Sequence, residues 1–123
     1  RCGGVDIALD AFPCNGATTT FETLWVGVRV VSLSGETFIS RAAGSILHHI
    51  GLGDLAADTP EAYVACVKDL AENLDRLRSL RAGLRQRITY SPLCDAAAYA
   101  RSVENAYRSM WREWCAQPKN PMA

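Results

Sequence analysis

The chain has 123 residues and a formal net charge of zero, thirteen Lys and Arg against thirteen Asp and Glu. That length holds one domain with a real core and excludes two. The charge balance excludes a global basic field for recruiting nucleic acid or an anionic membrane surface.

"VDIAL" (Val5 to Leu9) is a short apolar run bounded by turn residues and reads as a buried strand. Pro13, Asn15 and Gly16 follow, residue types that favour tight turns. A short helix is expected from Thr18 to Val26. A threonine would cap it, Glu22 suits its first turns, and Gly27 would end it in the left-handed conformation. "VRVVSL" (Val28 to Leu33) is a second strand. Ser34 and Gly35 turn the chain, and a helix runs on through Ile50, closed by Gly51. Strand, helix, strand, helix with short connections predicts a parallel pair. A weak third strand is expected around Leu55.

Past residue 57 the pattern changes. Thr59 and Pro60 form a helix start, and Tyr63, Val67, Leu70, Leu74, Leu77, Leu84 and Ile88 recur at helical spacing. Asn73 divides this stretch into two helices, and Ser91-Pro92 ends it. Arg76, Arg78, Arg81, Arg85 and Arg87 cluster here between acidic residues and read as a solvated helix face. A last helix starts near Asp95 and carries Tyr99, Val103, Tyr107, Met110, Trp111 and Trp114 on one stripe, which reads as a core-facing seam. The organisation expected is one domain. Residues 1–57 form the strand-helix-strand-helix part, 58–116 a helical tail packed on it, and 117–123 a loose end.

The five cysteines are odd in number, widely spaced and free of any Cys-x-x-Cys pair. This argues against a disulfide framework and a zinc site and fits reduced thiols in a cytoplasmic protein. The longest apolar stretch, residues 24–33, is broken by Gly27 and Arg29, so no membrane span or signal peptide is expected. His48 and His49 lack an acidic partner at a suggestive spacing and read as structural or surface residues. A chain that begins with Arg1 and has so few strands reads as the last part of a larger doubly wound domain.

The turn before the first helix carries the chemistry. In open parallel sheets, ligands sit at the carboxyl ends of the strands. A helix start there offers unpaired N–H groups and the positive end of a dipole, which suits phosphate. Gly16 would let an anion approach the backbone, Thr18, Thr19 and Thr20 add uncharged donors, and Glu22 could accept from a ribose hydroxyl. The other reading has one threonine capping the helix and the rest filling space. The absence of Gly-x-Gly-x-x-Gly and of Gly-Lys-Ser/Thr excludes the familiar dinucleotide and P-loop fingerprints.

The stretch "VDIALDAFPCNGATTTFETLWVGVRVVSLSGETFISRAAGSIL" closely resembles the C-terminal catalytic lobe of the protein O-GlcNAc transferase family, including bacterial relatives and the plant SPINDLY proteins. The similarity continues through "GLGDLAADTPEAYVACVKDLA" and "SPLCDAAAYARSVENAYRSMWREWC". It implies an α/β fold: the C-terminal lobe of a GT-B glycosyltransferase, with a short parallel sheet of two or three strands and a helical tail. The implied reaction is inverting, metal-independent transfer of a sugar from a nucleotide diphosphate sugar to Ser or Thr of proteins, with no cofactor. The resemblance assigns Gly16, Ala17, Thr18 and Thr19 to the donor diphosphate, Glu22 to the ribose, and Cys14 to the neighbourhood of the sugar. It places no catalytic residue and no metal ligand in this chain. Acceptor proteins would be held by repeats upstream. Animal members carry a histidine where this chain has Ala17 and an aspartate where it has Glu22. The donor is therefore expected to be UDP-GlcNAc first and GDP-fucose, as in some SPINDLY-like members, second. A non-catalytic interaction module that kept the fold is the third reading. An isolated piece of this kind is expected to self-associate through an open sheet edge bordered by Val5, Ile7, Leu9, Val30 and Leu33.

Overall fold

A computed structural model describes residues 4–117. Three short parallel strands form one sheet in the order β1 (Ile7–Leu9), β2 (Arg29–Leu33), β3 (Ala56–Ala57). Ile7 is in register with Arg29 and Leu9 with Val31, and on the far side of β2 Ser32 faces Ala56. The third strand, expected only weakly around Leu55, is the residue pair just after it.

The helix α1 (Thr18–Trp25) links β1 to β2. Gly27 and Gly51 follow α1 and the next helix, α2 (Ala42–His49), with φ of 87° and 71°, the left-handed values that close a helix without a Cβ penalty. Between β2 and β3 the chain first makes a 3-10 turn, Ile39–Arg41, and only then α2 (Ala42–His49). The helix is thus shorter than the pattern through Ile50 suggests, because Ser40 and Thr37 bond one another locally and hold the preceding loop. Thr59 caps α3 (Pro60–Glu72) by accepting from the Ala62 N–H at 3.1 Å. Asn73 breaks the run as expected, and its side chain caps α4 (Leu74–Thr89) through the Arg76 N–H at 2.9 Å. Ser91 then opens a 3-10 turn, Pro92–Cys94, and Asp95 caps α5 (Ala96–Ala116).

The core lies where α1, α2, α3 and α4 meet the sheet. Leu24, Val31, Leu47, Leu70, Leu84 and Ile88 are fully buried and pack in one cluster. Val30 belongs to that cluster too, which corrects its assignment to an exposed border: it stands on the central strand, between β1 and β3. Val5 and Leu9 are exposed, as an open β1 edge requires, while Ile7 and Leu33 are half-buried.

Two further expectations are corrected. The arginine cluster is more than a solvated face. Arg76 bridges Asp54 and Asp69, Arg81 donates to Asp6 at 3.1 Å, and the Arg85 guanidinium lies 5.0 Å from the centre of the Trp25 ring. Asp6 also serves Arg29, a buried cation on β2 whose Nη1 donates to the Asp6 carbonyl at 3.1 Å. Burial pulls the Arg29 pKa below its ordinary value, and the Asp6 carboxylate opposes that. The aromatic stripe of α5 is not a seam within this chain. Tyr99, Tyr107, Met110, Trp111 and Trp114 are all exposed, and α5 buries no residue among the described ones. Periodicity establishes that a helix is two-faced; it does not establish what the apolar face meets. The expected loose end past Gln117 lies outside the described residues.

This geometry fixes an ordering of stabilities. Leu84→Ala, at a fully buried site, should cost about 2–5 kcal/mol. Trp111→Ala and Trp114→Ala should each fall within roughly 0.5 kcal/mol of the parent, as exposed positions do. Urea denaturation of the three variants checks this, and a large loss at either tryptophan would mean α5 packs on its own chain.

Candidate functional site

The turn from β1 into α1 is built on one carboxylate. Asp10 follows β1, and its Oδ1 accepts from the Gly16 N–H at 3.0 Å while its Oδ2 accepts from Ser32 Oγ at 3.0 Å. One side chain thereby ties the turn to the central strand. Its own N–H donates to the Val31 carbonyl at 3.0 Å, continuing the parallel ladder one residue past β1.

Asn15 supplies the second anchor. Its N–H donates to the Ile39 carbonyl at 3.2 Å, and its Nδ2 donates to the carbonyls of Ala11 at 2.9 Å and Leu33 at 3.4 Å. The side chain is buried, yet its Oδ1 meets no donor among the described residues. An acceptor left unmade in the interior costs about 1–3 kcal/mol. Neither Asp10 nor Asn15 was singled out by the sequence as more than turn chemistry. The signal that was available is an aspartate directly after a strand and an Asn-Gly pair before a helix.

The helix start departs from the expected threonine cap. Ala17 occupies the cap position, and among the described residues no side chain caps α1. The first intrahelical bond runs from the Phe21 N–H to the Ala17 carbonyl at 3.0 Å. The N–H groups of Thr18, Thr19 and Thr20 come before it and have no acceptor within the helix. The three threonines sit inside the helix, one residue too late for any of them to cap it. Thr18 and Thr19 are exposed and Thr20 is buried. No acidic residue stands in the first turn; Glu22 is the fifth helical residue, exposed in the second.

Gly16 is needed for space. A Cβ there would lie 2.6 Å from both Thr19 Oγ1 and Thr20 Oγ1, and 3.2 Å from Asp10 Oδ1. The glycine lets the turn close onto the hydroxyls.

Most of these residues divide between two adjoining depressions, and Ala17 and Thr18 line neither of them. Cys14, Asn15, Gly16, Thr19 and Thr20 line one of about 360 Å³ at the carboxyl end of β1. Glu22, with Phe21, Trp25 and Cys94, lines a more apolar one on the outer flank of α1. Thr19 and Thr23 border both. Cys14 and Glu22 therefore do not share a wall, and Thr19 stands between them. His48 and His49 lie on α2 away from both depressions; the His48 ring packs against Gly53, and His49 Nδ1 is 2.7 Å from the Ser45 carbonyl. Cys14, Cys66, Cys94 and Cys115 are free thiols. Burial pushes the Cys66 thiol above its ordinary pKa.

The fold is an open parallel α/β lobe whose candidate site sits at the carboxyl end of its first strand, in the turn leading into a helix. The chain belongs to glycosyl transferase family 41, which it matches over residues 1–103. It is 42% identical over 111 residues to a barley protein (Hordeum vulgare) named probable UDP-N-acetylglucosamine–peptide N-acetylglucosaminyltransferase SPINDLY, covering 90% of this chain and 12% of that protein. It is 34% identical over 109 residues to the UDP-N-acetylglucosamine–peptide N-acetylglucosaminyltransferase of Caenorhabditis elegans, covering 89% of this chain and 10% of that one. The structure of a K341M mutant of the Thermobaculum terrenum O-GlcNAc transferase superposes with a TM-score of 0.81 at 39% identity, covering 89% of this chain and 21% of that one. The chain thus spans only about an eighth of the barley relative.

Because both Thr19 and Thr20 hydroxyls stand where a Gly16 Cβ would go, Gly16→Ala should loosen the turn and cost about 1–3 kcal/mol through displaced or strained contacts. Asp10→Ala should release the Gly16 amide, so that its hydrogen exchange accelerates while the amides of the α4 core keep their protection. Unchanged exchange at Gly16 would remove Asp10 from its anchoring role.

Proposed function

We propose that this chain is the donor-binding part of a protein O-glycosyltransferase that moves a sugar from a nucleotide diphosphate sugar to Ser or Thr of proteins. The observation that carries the reading is the uncapped start of α1, in a member of this family, at the carboxyl end of a parallel strand. The N–H groups of the first turn and the exposed Thr18 and Thr19 hydroxyls offer a diphosphate several neutral donors. Gly16 lets the turn close onto the Thr19 and Thr20 hydroxyls, and the exposed Ala17, with no capping side chain, leaves the approach to those N–H groups clear. Thr19, at the junction of the two depressions, suits the diphosphate, with the sugar on the Cys14 side and the ribose on the Glu22 side.

In the proposed reaction the acceptor hydroxyl oxygen attacks the anomeric carbon, and the bond from that carbon to the diphosphate oxygen breaks. Negative charge grows on the leaving diphosphate. Donors already aimed at that position stabilise the charge as it develops, without reorganising. The catalytic base lies outside this chain on this reading, and neither cofactor nor metal is invoked. The donor proposed first is UDP-GlcNAc. GDP-fucose is the second, favoured by Glu22 and Ala17 in place of the aspartate and histidine of the animal members. Acceptor proteins would be held by repeats elsewhere in a parent transferase. Free thiols at four cysteines suit a reducing, cytoplasmic setting. Among the described residues no helix is long and apolar enough to cross a membrane.

Amide shifts during titration with UDP and GDP test the site. The response should centre on residues 18–22 and be the same with and without a chelator. Thr18→Val with Thr19→Val keeps the side-chain shape and removes two hydroxyl donors. It should lower affinity at least about tenfold, each lost bond being worth ~1 kcal/mol. Undiminished binding by that double variant would remove the assignment, and the absence of any local response would favour the non-catalytic reading.

The isolated chain should transfer no sugar to any peptide, since positioning of donor against acceptor needs an opposing surface. We also propose that it self-associates through the open edge of β1, where Val5 and Leu9 are exposed. Light scattering should give a mass above that of a monomer; a strict monomer at high concentration withdraws this point.

A further inference from the structure

A third depression, of about 570 Å³, runs along α2 and shares no lining residue with the two that flank Thr19. Helix geometry builds one wall. Arg41 stands at the start of α2, and Arg41, Ser45 and His48 recur at the i, i+4, i+7 spacing of one helix face. Ala43 and Leu47, on the opposite face, are fully buried in the core. Ser34, just past β2, and Asp58, just past β3, line the depression from the carboxyl ends of those strands, where parallel sheets take their ligands. Gly44 is what brings Ser34 so near to α2: a Cβ there would stand 2.9 Å from Ser34 Oγ.

The charges on these walls are unspent. Arg29 and Arg81 share Asp6, Arg76 holds Asp54 and Asp69, and Arg85 lies over Trp25. The Arg41 guanidinium, by contrast, makes no ion pair and no hydrogen bond among the described residues, and neither does the Asp58 carboxylate. Both line the same depression, yet they stay more than 4.0 Å apart. Opposite charges that wall one cavity without meeting leave a gap for a ligand that carries a partner for each. We propose that this depression binds the oxyanion group, carboxylate or phosphate, of a ligand that also bears a hydrogen-bond donor. Arg41 holds the oxyanion with its planar fork, the Ser34 and Ser45 hydroxyls add uncharged donors, and Asp58 accepts from the ligand's hydroxyl or N–H.

The selectivity follows from the pairing of Arg41 with Asp58. Their formal charges cancel, so the depression is no general attractor of anions. A bare oxyanion gains at Arg41 and is repelled by Asp58, while a hydroxy acid gains at both. An acidic residue of a polypeptide offers the same two groups, a carboxylate and a neighbouring backbone N–H. Since no residue is shared with the donor site, the proposal stands apart from the donor-site reading.

The test follows amide shifts at constant sodium chloride while acetate, glycolate, inorganic phosphate and the capped tripeptides Gly-Asp-Gly and Gly-Asn-Gly are titrated. Glycolate should give saturating shifts centred on residues 34–48 and 58. It should bind more tightly than acetate, which has the carboxylate and no hydroxyl. Arg41→Gln should weaken glycolate at least about tenfold, as loss of a charge-assisted bond does. Arg87→Gln, at an exposed arginine outside the depression, should bind as the parent does. Asp58→Asn should tighten acetate and narrow its gap to glycolate. Gly-Asp-Gly binding more tightly than the free anions, with Gly-Asn-Gly silent, assigns the oxyanion to a polypeptide side chain. The reverse order assigns it to a free small molecule, and both orders support the site. Shifts that never saturate, or that spread evenly over the surface, would overturn the proposal. So would acetate binding as tightly as glycolate, and these results come from the unaltered chain, whether or not a variant folds. An equal loss in Arg41→Gln and Arg87→Gln would reduce the effect to net charge and overturn it as well.

Discussion

The bond pair made by Asp10 is the constraint on which the rest of the structure depends. Three strands of three, five and two residues make a sheet with little pairing of its own. Asp10 adds a side-chain bridge from the end of β1 to the middle strand through Ser32 Oγ, and it holds the turn through the Gly16 N–H. A carboxylate accepting two hydrogen bonds is a stronger tie than a neutral acceptor. With the turn fixed, α1 leaves the sheet at a defined angle and returns the chain to β2. Leu24 then reaches the core cluster that also holds Val31 and Leu84.

Most of the fold was legible in the sequence because its signals are local. Thr59-Pro60, Asn73, Ser91-Pro92 and Asp95 are cap and stop residues, and each acts within three residues of where it stands. Gly27 and Gly51 are equally local. The misread features depend on distant partners. The stripe on α5 has the same period as a buried one, and only the surrounding fold reveals that Trp111 and Trp114 face outward. The arginines of α4 looked solvated because Asp6, Asp54 and Trp25 are far off in sequence and adjacent only in space. Val30 was placed at a border because a strand's neighbours cannot be read from its own residues.

The candidate site was legible as a composition and not as a geometry. Glycine, hydroxyls and a carboxylate near a helix start suggested an anion and a ribose. The division of Cys14 and Glu22 between two depressions, with Thr19 at their border, needs the path of the chain around α1. Asn15 was invisible for another reason. Asn-Gly is common turn chemistry, and a sequence cannot say whether an amide oxygen finds its donor.

The position of the threonines removes the capping reading. A threonine at the cap would have turned its oxygen onto one of the first N–H groups and stabilised the helix by about 0.5–2 kcal/mol. Here the cap position holds Ala17, and the threonines begin one residue later. Only Thr20 is buried, with its hydroxyl over Gly16, while Thr18 and Thr19 are exposed. The cost falls on the isolated helix, since its first N–H groups lack an acceptor and the positive end of its dipole is uncompensated. The same vacancy is what an anion needs, because a capped start has already spent part of its donors. A turn braced by Asp10 and Asn15 can tolerate an uncapped helix, and on the donor-site reading that tolerance would let the candidate site form before a ligand arrives. The bracing outside the site and the unsatisfied groups inside it are therefore two sides of one arrangement, and weakening the first should cost the second its shape before it costs the domain its fold.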